Sequence, residues 1–361
     1  MSDNFDYDGL SQTAKSLSID SFESLANKIR GKKVCLFLGA GFSKAWDDKY
    51  PLSDDVFSIS AEEASENHSS YGFLSLFEEL NLKWHPESVD KKLRASVFKN
   101  FKFNLDIYRR YPSLLPSYLD KQTLDFFEKQ VKLFIKSKFS TLLPSSELSL
   151  SKRGSSRVHK NNMVKFFKGL DNLTTGLDVI TTNYDIVIDK ILKEAIPNKT
   201  LVRGFPVHYN NVVQCPKKGG VGLYKLNGGF EVVPQGETFK IDYDSLNAKD
   251  ICPNIILPSN EQDYGDKYFK SVFLKSSSQL RMADMLIFIG YSFPSEDHII
   301  QFLLKTFMDS ENKEKEALIV SRSEKSAIEC HSRASVIFSE LNDVGGVYYF
   351  KGSFLDMCKN V

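Results

Sequence analysis

The stretch Val34-Cys35-Leu36-Phe37-Leu38-Gly39-Ala40-Gly41-Phe42-Ser43 decides the fold. Its five apolar residues read as a short buried strand, which runs straight into a Gly-x-Gly turn and then a hydroxyl. Glycine lets backbone N–H groups approach a ligand with no Cβ in the way. A turn of that kind feeding a helix N-terminus is a natural seat for a phosphate or pyrophosphate. A tight corner after any core strand uses the same residues. The full dinucleotide fingerprint also has a third glycine, where this chain has Lys44 and Ala45. Both readings stay open on this stretch alone.

Upstream, Asp20 and Glu23 have the spacing of a capping box, and Phe22, Leu25, Ala26 and Ile29 recur on one helical face that Gly31 ends. Downstream, from about Asp47 to Gly169, the texture becomes helical. Lys91 to Arg110 reads as a helix with a basic face, and Leu124, Phe127, Val131, Phe134 and Ile135 stripe a second. Leu143 to Asn162, rich in serine and basic residues around Gly154, reads as a mobile loop. Its Lys152, Arg153, Arg157 and Lys160 suit a solvated loop better than a nucleic-acid contact.

Strand–helix alternation then returns. Leu177–Ile180 runs into Thr181-Thr182-Asn183-Tyr184-Asp185. Gly222–Leu226 ends at Asn227-Gly228-Gly229, and Met285–Ile289 opens into Gly290-Tyr291-Ser292-Phe293-Pro294. Leu318–Val320 and Val347–Phe350 follow as late strands. Apolar strands alternating with helices imply an α/β fold: a Rossmann-like, mostly parallel sheet flanked by helices, here with a large helical insertion. Ligands of such sheets lie beyond the carboxyl ends of the strands, where these turns would converge.

Composition narrows the function classes. The 361 residues include 42% hydrophobic residues with 28 Phe and 15 Tyr, ample for a large core. Lys plus Arg (47) nearly cancels Asp plus Glu (46), so no global field draws the chain to nucleic acid. The five cysteines are scattered without a CxxC pair, which points away from disulfides and zinc and toward a reducing cytoplasm. No apolar run approaches the roughly 20 residues that span a bilayer, and the acidic start does not read as a secretory signal. His68, His85, His159 and His331 show no metal-ligand spacing.

Together the segments Gly39–Ser43, Thr181–Asp185, Lys225-Leu226-Asn227-Gly228-Gly229, Pro253-Asn254-Ile255-Ile256-Leu257-Pro258 and Leu286–Pro294 come in an order that resembles the sirtuins. They are most similar to the sirtuin-like NAD hydrolases of bacterial anti-phage defence. The resemblance implies an N-terminal helical segment over 1–31 and an NAD-binding domain over 32–361, interrupted by the insertion at 47–169. It implies NAD as substrate and no metal, with Gly39, Ala40, Gly41, Phe42 and Ser43 around the pyrophosphate. Thr182 would face the nicotinamide ribose, Asn183 would position the attacking water, and Asp185 would hold the carboxamide. Gly290 and Ser292, with Ser321, would meet the adenosine side. It further implies hydrolysis of NAD to ADP-ribose and nicotinamide as an abortive-infection response in the cytoplasm. A homo-oligomer is expected, with a partner ATPase or sensor protein encoded separately, since no sensor domain follows in this sequence.

The chemistry is consistent with these residues. The nicotinamide–ribose bond breaks through an oxocarbenium-like state, and the pyridinium leaves without a proton. An amide and a carboxylate on one turn can serve that step, although a polar helix cap would contain the same pair. One position departs from the pattern. The family's Lys-Leu-His-Gly places a general-base histidine where this chain has Asn227, and an amide cannot take a proton at neutral pH. Three readings are open: a binding-only homologue, a disabled variant of an active NAD hydrolase, and turnover by Asn183 alone. The second is the expectation, and His208, upstream in a loop-like stretch, is not the stand-in. Cys215 has no companion for the zinc module of deacylating sirtuins, which disfavours a protein deacylase.

Overall fold

The structure is a computed structural model that describes residues 17–60, 62–63, 90–142, 156–205, 207–209, 212–214, 219–236, 238–257, 264–295, 297–309, 314–359 and 361. The strands are β1 (Ser18–Ile19), β2 (Lys33–Leu38), β3 (Gly176–Thr181), β4 (Leu201–Val202), β5 (Val207–Tyr209), β6 (Val212–Gln214) and β7 (Val221–Lys225). They continue as β8 (Gly228–Gly229), β9 (Val232–Gln235), β10 (Thr238–Ile241), β11 (Asn254–Ile255), β12 (Met285–Ile289), β13 (Glu316–Ser321) and β14 (Val347–Ser353). The helices that matter here are α1 (Phe22–Ile29), α2 (Ala40–Trp46), α3 (Ser53–Phe57), α4 (Lys91–Arg110), α5 (Lys121–Lys138), α6 (Ser156–Leu173), α7 (Val187–Ala195), α8 (Lys267–Met282), α9 (His298–Lys305) and α10 (Glu324–Ile337).

Eight strands form one sheet in the order β1-β14-β13-β12-β2-β3-β7-β4. Every pairing in it is parallel, with Val34 to Leu38 of β2 set against Met285 to Ile289 on one side and Leu177 to Thr181 on the other. The apolar runs are continuous because both faces are covered. Val34, Leu36 and Leu38 face one core, while Cys35 and Phe37 face the other, and β12 alternates likewise. The chain winds from β2 outward through β3 to β7, then returns to place β12 and β13 on the opposite flank. The reversal falls between β2 and β12, and open α/β sheets hold their ligands at such a reversal.

The helix at Lys91–Arg110 and the stripe on α5 stand as read from sequence. Both helices bury apolar residues in the same cluster as one sheet face, Phe98, Phe101 and Leu105 from α4 and Val131, Phe134 and Ile135 from α5. Two expectations are corrected. Ser21, not Asp20, caps α1 by accepting from the Ser24 N–H, while Asp20 takes the Ser24 hydroxyl instead. The segment expected as a loop up to Asn162 is helical from Ser156, because Met163, Phe166, Phe167 and Leu170 give it a fully buried stripe. Lys160 ion-pairs with Asp47 at 3.7 Å. Lys152, Arg153 and Gly154 lie outside the described residues. Asn254–Ile255, within one of the segments that carry the resemblance, pairs antiparallel with Gly228–Gly229 outside the main sheet.

A buried carboxylate fastens α4 to α5. Glu128 accepts from Arg109 and lies 2.9 Å from Lys132. Burial raises its pKa, but Lys132, Lys102 and Arg109 more than offset this and hold it at about 2. A carboxylate depressed in the fold stabilises above its unfolded value, near 4.5, and that contribution disappears as pH falls toward 2. Glu128→Gln should therefore lower the urea midpoint at pH 7, and the deficit should shrink between pH 4.5 and 2. A deficit independent of pH would contradict this assignment.

Candidate functional site

Two loops cross where the strand order reverses. Gly39 N–H donates to Ile289 O at 3.1 Å, and Gly41 N–H to Gly290 O at 3.0 Å. A Cβ on Gly39 would stand 2.6 Å from Gly290 O, and one on Gly41 would stand 2.9 Å from Gly290 Cα. Gly290 itself has φ of 67°, a conformation that side chains rarely adopt. These glycines are thus required by each other before any ligand is considered. In this crossing the Gly41 N–H is engaged by Gly290 O, although the residue itself lines the cavity. Phe42 gives its N–H to Gly39 O and packs its ring on Phe167 and Phe354 in the core. Ala40 lines the cavity, and its N–H has no acceptor among the described residues.

The turn after β3 is fastened to this crossing. Asn183 Nδ2 donates to Gly39 O at 3.0 Å and to Ser43 Oγ at 2.9 Å, while its N–H meets Thr181 Oγ1 at 3.1 Å. Because Gly39 O only accepts, the amide orientation is fixed, and Oδ1 is left to accept from a water or ligand. Asp185 is almost fully buried. Burial raises its pKa, opposed by the Val187 N–H, the Ser43 hydroxyl and the charge of Lys225. It thus holds a proton more readily than an exposed aspartate.

Asn227, after β7, has both ends of its amide occupied. Nδ2 donates to Thr182 O at 3.4 Å, and Oδ1 accepts from the Tyr264 hydroxyl at 2.8 Å. Thr182 O is an acceptor only, so this orientation is also fixed, and Asn227 has its second N–H and the remaining lone pair of Oδ1 for a ligand. Three further bonds bind the turns together: Leu226 N–H to Thr181 O, Phe230 N–H to Tyr184 O, and Tyr184 hydroxyl to Ile256 O at 2.6 Å.

These turns open on one cavity of about 780 Å³. Ala40, Gly41 and Ser43 line it with Thr182, Asn183, Asp185, Asn227, Gly290, Ser292 and Ser321. Gly39 and Phe42 do not; they support it from behind. Its volume is that of a small-molecule site. Leu52, Val56, Phe57, Lys99 and Phe139 close one side, so the helical region between β2 and β3 contributes a wall. Among the described residues, no group of three or more His, Cys, Asp or Glu gathers that could hold a metal. His159 and His331 each contact a backbone carbonyl, of Trp46 and Val347 respectively. His68, His85 and Cys215 lie outside the described residues. No helix among the described residues is long and apolar enough to cross a membrane.

Sequence reasoning missed the charged network behind the site. Lys225 Nζ donates to Asp185 O at 2.7 Å and lies 2.8 Å from Asp189 and 2.7 Å from Glu231. Arg203 bonds the same two carboxylates and Tyr243, all of them buried or nearly so. Burial pushes Asp189 up, but the Arg203 and Lys225 charges hold it down at about 2. Glu231 is left raised, chiefly by burial. The sequence did carry a signal: Asp189 interrupts the apolar run Ile186-Val187-Ile188-Asp189-Lys190-Ile191-Leu192, on the buried side of a helix. Tyr264, Arg322 and Arg333 were missed as well, since nothing in their spacing ties them to the turns.

Comparison with known proteins agrees with the later part of this architecture. Residues 178–339 match a family model described as a SIR2-like domain. No curated protein matches the chain. Among solved structures, it is similar to Sir2Tm bound to a propionylated peptide, at 13% identity and a TM-score of 0.41, covering 94% of this chain and 95% of that one. A complex of Sir2, a p53 peptide and NAD+ gives the same values. A structure concerned with sirtuin substrate affinity gives 14% identity and 0.42, with 94% and 95% covered. All three are distant likenesses to sirtuin structures.

Proposed function

We propose that the cavity binds NAD and that the chain is an NAD glycohydrolase, yielding ADP-ribose, nicotinamide and a proton from NAD and water. The observation that carries this reading is the convergence of the turns after β2, β3, β7, β12 and β13 on one cavity, with Asn183 and Asp185 at one end. The SIR2-like match over residues 178–339 supports it. Nicotinamide lies at the Asn183–Asp185–Asn227 end, the pyrophosphate across Ala40, Gly41 and Ser43, and the adenosine toward Gly290, Ser292 and Ser321. The bond to nicotinamide breaks through an oxocarbenium-like state, which leaves the protein to grip both ends and offer water. Asn183 Oδ1 accepts from that water. Asp185, neutral or ionised, faces the carboxamide, and Thr182 lines the ribose.

Asn227 limits the rate. Its amide, held by Tyr264 and Thr182, can hydrogen-bond a ribose hydroxyl but abstracts no proton. That observation favours one second reading, a non-catalytic subunit binding NAD or ADP-ribose. In the enzyme reading, turnover depletes NAD in an anti-phage response, in the cytoplasm, held in check by oligomerisation or a separate ATPase or sensor protein. The motif resemblance supports this setting. The test is nicotinamide release by the wild-type chain and Asn183→Ala, with NAD binding and melting temperature measured alongside. The expected result is release that falls by about tenfold or more in the variant while NAD still binds, the loss of one or two hydrogen bonds at the water. Binding without release under any condition selects the second reading. Release only with an acyl-lysine peptide would make the protein a deacylase.

A further inference from the structure

The end of the cavity farthest from Asn183 carries charge that the hydrolysis of NAD does not use. Strand order sets the distance. From β7 through β3, β2 and β12 to β13 there are four strand spacings, about 19 Å in all. A dinucleotide laid across those strand ends brings its adenosine to the residues after β13. There the chain reads Ser321-Arg322-Ser323, followed by α10. Helical spacing puts Ser326, Cys330 and Arg333 on one face of α10, and all three line the cavity with Arg322.

Both arginines are exposed at this end, and neither ion-pairs with a carboxylate among the described residues. Arg322 Nε donates to Ser326 Oγ at 3.4 Å, and Arg333 Nη1 to Ser292 O at 2.7 Å. Each therefore retains most of its five N–H donors. The second bond also fixes Arg333 to the lip that crosses the glycine turn. Glu329 lines the same wall at the i, i+4 spacing from Arg333, and the two do not pair. Two guanidinium groups with open donors in one wall match a phosphate dianion, which takes forked hydrogen bonds from arginine. An adenosine hydroxyl requires no such charge.

We infer that Arg322 and Arg333 form a subsite for a phosphomonoester on the adenosine ribose, so that the cavity prefers the 2′-phosphorylated dinucleotide NADP to NAD. The inference rests on the orientation given under the proposed function. It is tested by titration calorimetry of the full chain with NAD and NADP at low and high salt. Wild type should bind NADP about tenfold more tightly than NAD, and the ratio should shrink as salt screens the exposed charges. Arg322→Ala and Arg333→Ala should each bring the ratio toward one, Arg322→Lys should keep part of it, and melting temperatures control for folding. Adenosine 2′,5′-bisphosphate should displace NAD better than AMP. A wild-type ratio of one or below, a ratio that survives both alanine variants, or equal displacement by the two nucleotides overturns the subsite alone. Failure of both dinucleotides to bind overturns the dinucleotide reading and the subsite with it.

Discussion

Asn227→His should raise nicotinamide release about 10²–10⁴-fold over the chain as it stands, the usual contribution of one positioned general base. The reasoning begins at Tyr264. Its hydroxyl now donates to Asn227 Oδ1 at 2.8 Å, and the amide, which can accept a hydrogen bond but not take up a proton at neutral pH, supplies no general base. An imidazole at 227 could give a ring N–H to the same oxygen, since a phenol can both donate and accept. The other ring nitrogen would then carry a free lone pair on the cavity side. Steady-state release across pH checks the result: the variant should gain activity with a limb near the histidine range, and the parent should lack that limb. No gain with NAD bound would leave the binding-subunit reading standing.

Lys225→Met should destabilise the fold by about 3–5 kcal/mol, as expected when one partner of a buried ionic cluster is removed. Lys225 is 1% exposed and is the only group among the described residues that bonds Asp185 O, Asp189 and Glu231 together. Without it, Arg203 alone faces two buried carboxylates. Burial already raises Glu231, and loss of Lys225 would drive it further toward the neutral acid. Lys225→Met with Glu231→Gln should recover much of the stability, because the uncompensated charge leaves with the cation. Urea unfolding of the three proteins measures this. A single variant as stable as wild type would show that the cluster fixes nothing.

Where burial was two-sided, the sequence was legible. Met285–Ile289 and Val34–Leu38 are covered on both faces, so their strands appear as unbroken apolar runs, and the turns that follow them could be placed without coordinates. The helix at Lys91–Arg110 was legible as one with a basic face, and α5 from its apolar stripe. The start of α6 was not, because Ser156 to Asn162 is polar apart from the exposed Val158 and the buried stripe begins only at Met163. The small sheet β6-β5-β10-β9 also escaped, its strands being three or four residues long and interrupted by Pro234. Asn183, Asp185 and Asn227 could be located from their turns, but the partners of their polar atoms could not. Tyr264 lies 37 residues from Asn227, and Asp189 meets Arg203 and Lys225 only after three elements have packed. Even the glycines had a meaning the sequence hid, since Gly39 and Gly41 are required by Gly290, about 250 residues away.

The most direct measurement is the electron density of NAD soaked into crystals of this chain. The account predicts one dinucleotide along the carboxyl edge of the sheet. Its nicotinamide should lie against Asn183, Asp185 and Asn227, its pyrophosphate by Ala40 and Ser43, and its adenosine by Ser321. Density elsewhere on the molecule, or the two nucleotide ends in reversed order, would contradict it.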